Sequence, residues 1–213
     1  ISFINEIANL CEKVGANVQL VAKGMGLDHR IGSKFLHAGP GFGGSCFPKD
    51  LAALIQTGER HGQPMQIASA ASKVNEEQRK RMVTKIREAL GGLTGKTVAL
   101  LGLSFKPNTN DLREAPALAI GEELLAEGAA IRAYDPEALD EACRVLPAMQ
   151  ACRDAYHAAE GADVLIIMTE WNVFRNLEFE KLKAVMRRPL LLDLRNVYDS
   201  ARVAAAGFTH ISV

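Results

Sequence analysis

The chain contains 213 residues, of which 48% are hydrophobic and 23% charged, so it can bury one large or two modest cores. Lys and Arg together number 25, as do Asp and Glu, and this balance argues against nucleic acid or an acidic membrane surface as a partner. The four cysteines form no CxxC pair and indicate neither a metal site nor a disulfide framework, which favours a reducing, cytoplasmic setting.

The first 92 residues are predicted to be helical apart from their loops, and no apolar run reaches the length of a membrane span. The predicted helices cover 1–23 with an interruption near Gly15, 30–36 after a turn over 24–28, a stretch from Cys46 to between Gly58 and Gly62, and 64–90. The apolar pattern is already in helical register at the first residue, and we therefore expect a fragment of a longer chain.

From residue 93 onward, short apolar strands alternate with helices. Strands are predicted over 97–101, 130–134, 164–168, 190–193 and 208–211, with helices over 116–128, 137–145, 155–161, 179–186 and 201–206. This alternation is typical of a Rossmann-like, doubly wound parallel sheet. We predict an α/β protein with an all-helical domain over 1–92 and a sheet domain over 93–213. The long helix over 64–90 is predicted to be a spacer between domains, a dimer-forming surface, or both.

A glycine-rich loop precedes the best candidate for a reactive group. Four glycines and a proline fall within residues 39–44, and the segment from Ser45 to Asp50 is typical of a helix start, with Pro48 in its first turn. Cys46 would lie at the helix N-terminus beside Lys49, and both neighbours favour the thiolate, which is the nucleophilic form. The other three cysteines lie in or beside Ala/Leu-rich helical patterns and are predicted to be core residues.

The turn after the first strand does not fit the dinucleotide fingerprint. It contains a single glycine, Gly102, where the fingerprint requires three. Asp135 follows the second strand at the place of a ribose-binding acid, and Lys106 offers a cation near the first turn. We therefore predict a Rossmann-like sheet that binds a nucleotide by other means at the carboxyl ends of its strands.

Three groups of charged residues also have purely structural interpretations. The basic residues from Arg79 to Arg87 combine at helical spacing with the flanking glutamates Glu76, Glu77 and Glu88, which indicates a solvated helix face. Residues 111–114 can form a capping ion-pair cluster before the helix that starts at Pro116. Arg30 can be a surface residue at the start of its short helix.

Several of these segments resemble one enzyme family. The run from Gly41 to Asp50, Gly-Phe-Gly-Gly-Ser-Cys-Phe-Pro-Lys-Asp, resembles the catalytic cysteine motif of the UDP-glucose/GDP-mannose dehydrogenase family. Residues 102–114, 169–171 and 193–196 resemble further signatures, although Leu194 stands where many relatives have a small residue. The resemblance covers essentially the whole chain, which looks like the C-terminal half of such an enzyme.

The resemblance implies a set of site residues and partners. Cys46 and Asp50 would be catalytic, and Lys49 and Arg113 would contact the cofactor NAD. The nucleotide sugar would be held by Arg30, which would reach the nucleotide of a neighbouring subunit, and by Phe35, Leu36, His37, Ala38, Gly39, Phe42, Gly43, Lys106 and Arg195. The resemblance also implies a homodimer that forms through the helical region.

The implied reaction is the oxidation of a sugar C6 alcohol to a carboxylate with two NAD per turnover. Cys46 would form a thiohemiacetal and then a thioester that water hydrolyses, while Asp50 would position water or move a proton and Lys49 would stabilise the oxyanion. The motif is closer in form to that of members acting on UDP-glucose than on GDP-mannose. The residues of the sequence do not by themselves determine whether the substrate is UDP-glucose or GDP-mannose.

Other functions stay open at this point. The family's NAD domain has no counterpart in residues 1–213, so we expect this chain alone to turn over no NAD. One alternative is a non-catalytic module for sugar-nucleotide binding and dimerisation, and another is a relative acting on GDP-mannose. An unrelated thiol hydrolase is disfavoured, because no histidine lies in a recognisable partner motif.

Overall fold

The computed structural model describes residues 1–213, and its first half consists of helices joined by loops. These helices are α1 (Ser2–Val14), α2 (Val18–Gly26), α3 (Phe47–Arg60) and α4 (Gln66–Leu90). Gly15 ends α1 in the left-handed conformation with a φ of 69°, and the Asn17 side chain caps α2 by accepting from the N–H groups of Gln19 and Leu20. The interruption near Gly15 is thus confirmed, whereas the turn predicted over 24–28 begins later because α2 continues to Gly26.

The prediction of a short helix over 30–36 is wrong, since turns and bends connect α2 to the glycine loop. Asp28 accepts a hydrogen bond from the backbone N–H of Arg30 at 2.9 Å and another from its guanidinium at 2.6 Å. Gly32 follows with a φ of 71°, a conformation outside the range of a right-handed helix. The exposed segment therefore reaches the glycine loop as an irregular connection.

The second half is a parallel sheet flanked by helices, which confirms the predicted fold class. Its six strands are β1 (Thr97–Leu101), β2 (Ala130–Tyr134), β3 (Gln150–Ala151), β4 (Val164–Ile167), β5 (Leu190–Asp193) and β6 (Thr209–Ser212). The helices are α5 (Pro116–Ala126), α6 (Leu139–Val145), α7 (Ala155–Ala159), α8 (Phe179–Val185) and α9 (Ser200–Ala205). The strand order β3-β2-β1-β4-β5-β6 reverses between β1 and β4, so a crevice is expected at the carboxyl ends of these two strands.

Two short elements were not predicted from the sequence. The edge strand β3 has two residues, and a 3₁₀ helix over Asn172–Asn176 follows β4. Both are shorter than the window in which apolar periodicity becomes visible. No helix combines the length and the hydrophobicity that a membrane crossing requires.

One apolar core continues from the helices into the sheet. Ile4 of α1 and Ile86 of α4 belong to the same cluster of 29 buried residues as Val98 and Leu100 of β1. Leu101 points the other way and belongs to a second cluster of 19 buried residues on the opposite face of the sheet. Alternate residues of β1 thus serve the two faces, as expected for a strand covered on both sides.

Arg81 and Lys85 of α4 do not belong to a solvated face, which corrects the sequence interpretation for these two residues, whereas Lys80 is exposed as predicted. Lys85 and Arg81 both bond the Glu12 carboxylate of α1, and Lys85 also donates to the carbonyl of Ser212 in β6 at 2.7 Å. The Lys85 side chain is only 13% exposed. These cations were mistaken for surface residues because their partners are distant in sequence.

Candidate active site

Buried amide side chains from α1 and α4 hold the glycine loop. Asn5 Oδ1 accepts from the Gly39 N–H at 2.8 Å, and Gln78 Nε2 donates to the Gly39 carbonyl at 2.8 Å. Asn75 bonds Phe42 in the same two-sided way, accepting from its N–H at 2.7 Å and donating to its carbonyl at 3.1 Å. Sequence reasoning missed these three amides, although Asn is an unfavourable residue in a helix interior and so gave a signal at residues 5 and 75.

The second half of the glycine loop packs directly on the α/β half. A Cβ atom at Gly43 would lie 2.1 Å from the carbonyl oxygen of Glu114, and the N–H of Gly44 donates to the carbonyl of Arg113 at 2.8 Å. Arg79 of α4 donates to the carbonyls of both Phe42 and Glu114, at 3.1 and 3.2 Å. The loop is therefore fixed from both sides before it enters α3.

Cys46 is the N-cap residue of α3 and is exposed. Its Sγ atom lies 3.6 Å from Ser45 Oγ. In the first turn of α3, Lys49 Nζ pairs with the Asp50 carboxylate at 2.9 Å, and both side chains are exposed. The hydrogen bond and charge of Asp50 raise the pKa of Lys49, and the nearby Cys46 charge adds to that effect. The thiol thus faces solvent beside a cation and a carboxylate.

Three charged side chains meet at the carboxyl ends of β1, β4 and β5. Lys106 follows β1, Glu170 follows β4, and Arg195 follows β5. Arg195 Nε donates to the Met168 carbonyl at 2.8 Å and lies 3.3 Å from a Glu170 carboxylate oxygen. Burial lowers the pKa of the Arg195 guanidinium, and the Glu170 charge opposes that shift. Arg195 is held rigidly, with a side chain that is 17% exposed.

A cavity of about 310 Å³ lies between these charges and the glycine loop. Its lining includes seven of the predicted substrate residues, namely Phe35, His37, Gly39, Phe42, Gly43, Lys106 and Arg195. Phe105, Glu170, Lys34 and Phe47 also line it, and the sequence analysis did not name them as site residues. The sequence did give a signal for each of them. Phe105 follows β1 and Glu170 follows β4, whereas Phe47 lies within the cysteine motif and Lys34 precedes it.

Three predicted substrate residues do not line this cavity. Arg30 is exposed and pairs with Asp28 on the surface, whereas Ala38 is buried with 5% of its surface exposed. Leu36 is partly buried and packs against the main apolar cluster. The structure of a single chain therefore brings together part of the predicted set, and Arg30 points to no site within that chain.

The two predicted cofactor residues share a second, more open cleft. Lys49 and Arg113 both line a depression of about 790 Å³ between α3, α4 and the loop before α5. Arg113 pairs with Asp111 at 2.7 Å, and its side chain is 70% exposed. Hydrogen bonding and charge from Asp111 raise the pKa of Arg113, with Cys46 adding a further contribution. The ion pair that was predicted as an alternative therefore exists, and Arg113 also borders this cleft, whose lining includes Ser45, the residue before Cys46, but not Cys46 itself.

Asp135 is not available as a ribose-binding acid, which argues against the usual mode of dinucleotide binding at this sheet. The residue is 2% exposed, and its two carboxylate oxygens are already bonded by protein groups. The donors are the backbone N–H groups of Leu103, Ser104, Glu137 and Ala138, the Ser104 hydroxyl and the Trp171 indole N–H. Asp135 therefore organises the loop that carries Phe105 and Lys106.

The strand order and the crevice define a protein of the Rossmann-like nucleotide-binding class, joined to a helical region with an exposed thiol. Comparisons with known proteins give the family. Residues 1–77 match the central domain of the UDP-glucose/GDP-mannose dehydrogenase family, and residues 99–200 match its UDP binding domain. The chain belongs to the UDP-glucose/GDP-mannose dehydrogenase family.

Individual relatives agree with this assignment. A UDP-glucose 6-dehydrogenase of Rhizobium meliloti (strain 1021) is 52% identical over 100% of this chain and 49% of its own length. UDP-glucose 6-dehydrogenase TuaD of Bacillus subtilis (strain 168) is 46% identical over 100% of this chain and 46% of its length. A UDP-glucose dehydrogenase structure from Pyrobaculum islandicum superimposes with a TM-score of 0.88 at 37% identity, over 100% of this chain and 46% of that one. The chain spans about half the length of the curated relatives it matches.

Proposed function

We propose that residues 1–213 are the sugar-nucleotide-binding and thiol-bearing part of an NAD-dependent UDP-glucose 6-dehydrogenase. The observation that carries this proposal is the exposed N-cap thiol of Cys46, whose neighbour Phe47 lines a cavity that also exposes Lys106 and Arg195. Two cations on one side of a cavity suit a diphosphate, and Arg can bind it bidentately. Residues 1–92 then act as the helical and dimer-forming domain, and residues 93–213 as the UDP-sugar domain.

The chemistry assigned to Cys46 is covalent catalysis at the sugar C6 aldehyde. The thiolate adds to the aldehyde carbon, and the oxygen takes a proton to give a thiohemiacetal on the protein. Loss of a hydride from that carbon and of the proton from its oxygen leaves a thioester, and water then releases the carboxylate and restores the thiol. Lys49 is placed to stabilise the oxyanion, and Asp50, one helical turn after Cys46, is placed to orient the water.

We assign NAD to one of the two clefts. When bound, NAD accepts the hydride in each oxidation step. The crevice of this sheet is a poor dinucleotide site, because Asp135 is fully bonded and the first turn has a single glycine. Lys49 and Arg113 instead offer two exposed cations along the cleft beside Cys46, and we assign them to the cofactor.

The test uses the complete gene product that carries these residues. We expect it to reduce two NAD per UDP-glucose, and we expect Cys46→Ser to abolish the second oxidation, from aldehyde to carboxylate, while UDP-glucose still binds. Cys143→Ser is the matched control, because Cys143 lies on α6, away from both clefts. The same assay with GDP-mannose examines the other sugar nucleotide. Full NAD reduction by the Cys46→Ser variant would refute the assignment.

Residues 1–213 alone are proposed to bind the sugar nucleotide without turnover. Calorimetry with UDP-glucose and an NAD assay on the same preparation examine both statements.

We also propose a homodimer through the helical region, because α1 and α2 expose the large apolar side chains Phe3, Leu10, Val14 and Leu20. Sedimentation equilibrium that finds only monomers would contradict this part of the proposal.

A further inference from the structure

The glycine loop is anchored at Gly39 by two groups that the chemistry above does not use. The Gly39 N–H donates to Asn5 and the Gly39 carbonyl accepts from Gln78, so both polar groups of this residue are held by side-chain amides. Asn5 is 0% exposed and Gln78 is 1% exposed. In a dry environment such bonds are costly to break, because the freed group has no water to replace its partner.

Gly39 in turn sets the distance between the loop and Arg195. A Cβ atom at Gly39 would lie 3.3 Å from the carbonyl oxygen of Leu194 and 3.4 Å from Nη1 of Arg195. The loop backbone therefore forms the cavity wall next to the guanidinium, with no side chain in between. A shift of Gly39 by about 1 Å would change the width of the cavity where a diphosphate group is proposed to bind, and such shifts can reduce a rate on the order of 10²-fold.

Asn5 shows a further sign that its place is set by the loop. Its Nδ2 group is buried and has no hydrogen-bond partner. An unpaired buried N–H group opposes folding, and an apolar residue of the same shape would avoid that cost. Packing alone thus does not explain an asparagine at this position, whereas the bond from its Oδ1 to Gly39 does.

We propose that Asn5 and Gln78 are positioning residues for nucleotide-sugar binding, which fix Gly39 as the wall of the cavity opposite Arg195. This inference rests on the proposed function. Neither amide lines the sugar-nucleotide cavity or the cleft assigned to NAD, so both act through the loop backbone. The class of ligand is a nucleoside diphosphate sugar, whose diphosphate would meet Arg195.

The experiment compares three variants of the complete gene product. Asn5→Leu and Gln78→Met are close in size to the parent residues and each removes one bond to Gly39. Ser2→Ala is the matched control, because it also removes a partly buried hydrogen bond between α1 and α4, from Ser2 Oγ to the Ala71 carbonyl at 2.7 Å, but removes no hydrogen bond to the loop. If Gln78→Met fails to fold, Gln78→Glu keeps the size and replaces the donor by an acceptor.

We expect the two loop variants to lower kcat/KM for UDP-glucose by about 10-fold to 100-fold per folded molecule. The KM for UDP-glucose rises, and the KM for NAD changes by less than about twofold, as the loop contact is confined to the sugar-nucleotide cavity. Ser2→Ala is expected to leave both kcat/KM and KM for UDP-glucose unchanged. A purely structural role would instead lower stability in all three variants and leave the KM for UDP-glucose unchanged.

Hydrogen exchange gives a readout that is independent of turnover. The Gly39 amide is expected to be protected in the parent and to exchange at least about 10-fold faster in Asn5→Leu. Unchanged exchange, or unchanged KM for UDP-glucose in both loop variants, would overturn the inference. A parent that reduces no NAD with UDP-glucose would overturn the proposed function, and the exchange result would then decide by itself whether Asn5 fixes the loop.

Discussion

Gly43 is the position at which the glycine loop has the least room for a side chain. In Gly43→Ala, the new methyl group would lie 2.1 Å from the Glu114 carbonyl oxygen, about 1.3 Å short of the 3.4 Å at which ordinary contact begins. The Glu114 carbonyl is a backbone group and the methyl group of alanine has no rotamers, so no side-chain rotation can relieve the overlap and the two segments must separate. Overpacking costs about 1–3 kcal/mol, and loss of the Gly44 to Arg113 hydrogen bond adds about 1 kcal/mol. We expect the free energy of unfolding to fall by about 3 kcal/mol.

Urea denaturation followed by circular dichroism measures this change. Gly24→Ala is the matched control, because Gly24 lies inside α2 and a Cβ atom there meets nothing within 4 Å. The control is expected to gain about 0.5–1 kcal/mol, since alanine is the better helix former. A Gly43→Ala protein within about 0.5 kcal/mol of the parent would show that the loop and residues 113–114 are not in firm contact.

Three further changes report on the α/β half and on its junction with the helices. Lys85→Met removes the bonds to Glu12 and to the Ser212 carbonyl, and we expect a loss of about 2 kcal/mol in a thermal melt; an unchanged Tm would contradict a buried role. Trp171→Phe leaves Asp135 without its indole donor and is expected to lower the free energy of unfolding by about 1–2 kcal/mol; an unchanged midpoint of urea denaturation would contradict this expectation. Burial lowers the pKa of His210 although Asp193 and Asp199 oppose it, so the unfolded chain binds the proton more tightly. Stability is then complete above a pH of about 6.5 and declines as pH falls below it, and His210→Gln is expected to flatten the decline that begins there; equal slopes for both proteins would refute the reasoning.

Much of the α/β half is visible in the sequence, because buried parallel strands are short apolar runs with clear borders. The strands at 97–101, 130–134 and 190–193 lie where the sequence predicts them. The prediction of a helix over 30–36 failed because local hydrogen bonds that Arg30 donates to Asp28 and a left-handed Gly32 compete with helix formation. Such turn chemistry outweighs weak propensity, and a single sequence gives little warning of it.

The candidate site was only partly predictable for a different reason. Cys46 stood out because its local sequence, a glycine loop followed by a helix start, already describes its surroundings. Asn5 and Gln78 were not predicted as site residues, because their roles depend on contacts with residues far away along the chain. Asp135 shows the opposite case, since its position after β2 matches a ribose-binding acid while its oxygens are already bonded within the protein.

The 25 residues of α4 form a rod about 37 Å long, which serves two unrelated tasks, one in its middle and one in its C-terminal half. Asn75 and Gln78 face the glycine loop, whereas Met82 and Ile86 belong to the core beneath the sheet. Each added residue turns an α-helix by about 100°. A one-residue insertion after Gln78 would therefore rotate the amides away from the loop, even though no residue in either contact had changed its identity. The angle around the axis of α4 between the amides that hold the loop and the residues of the core is in this sense as much a part of the site as the side chains themselves.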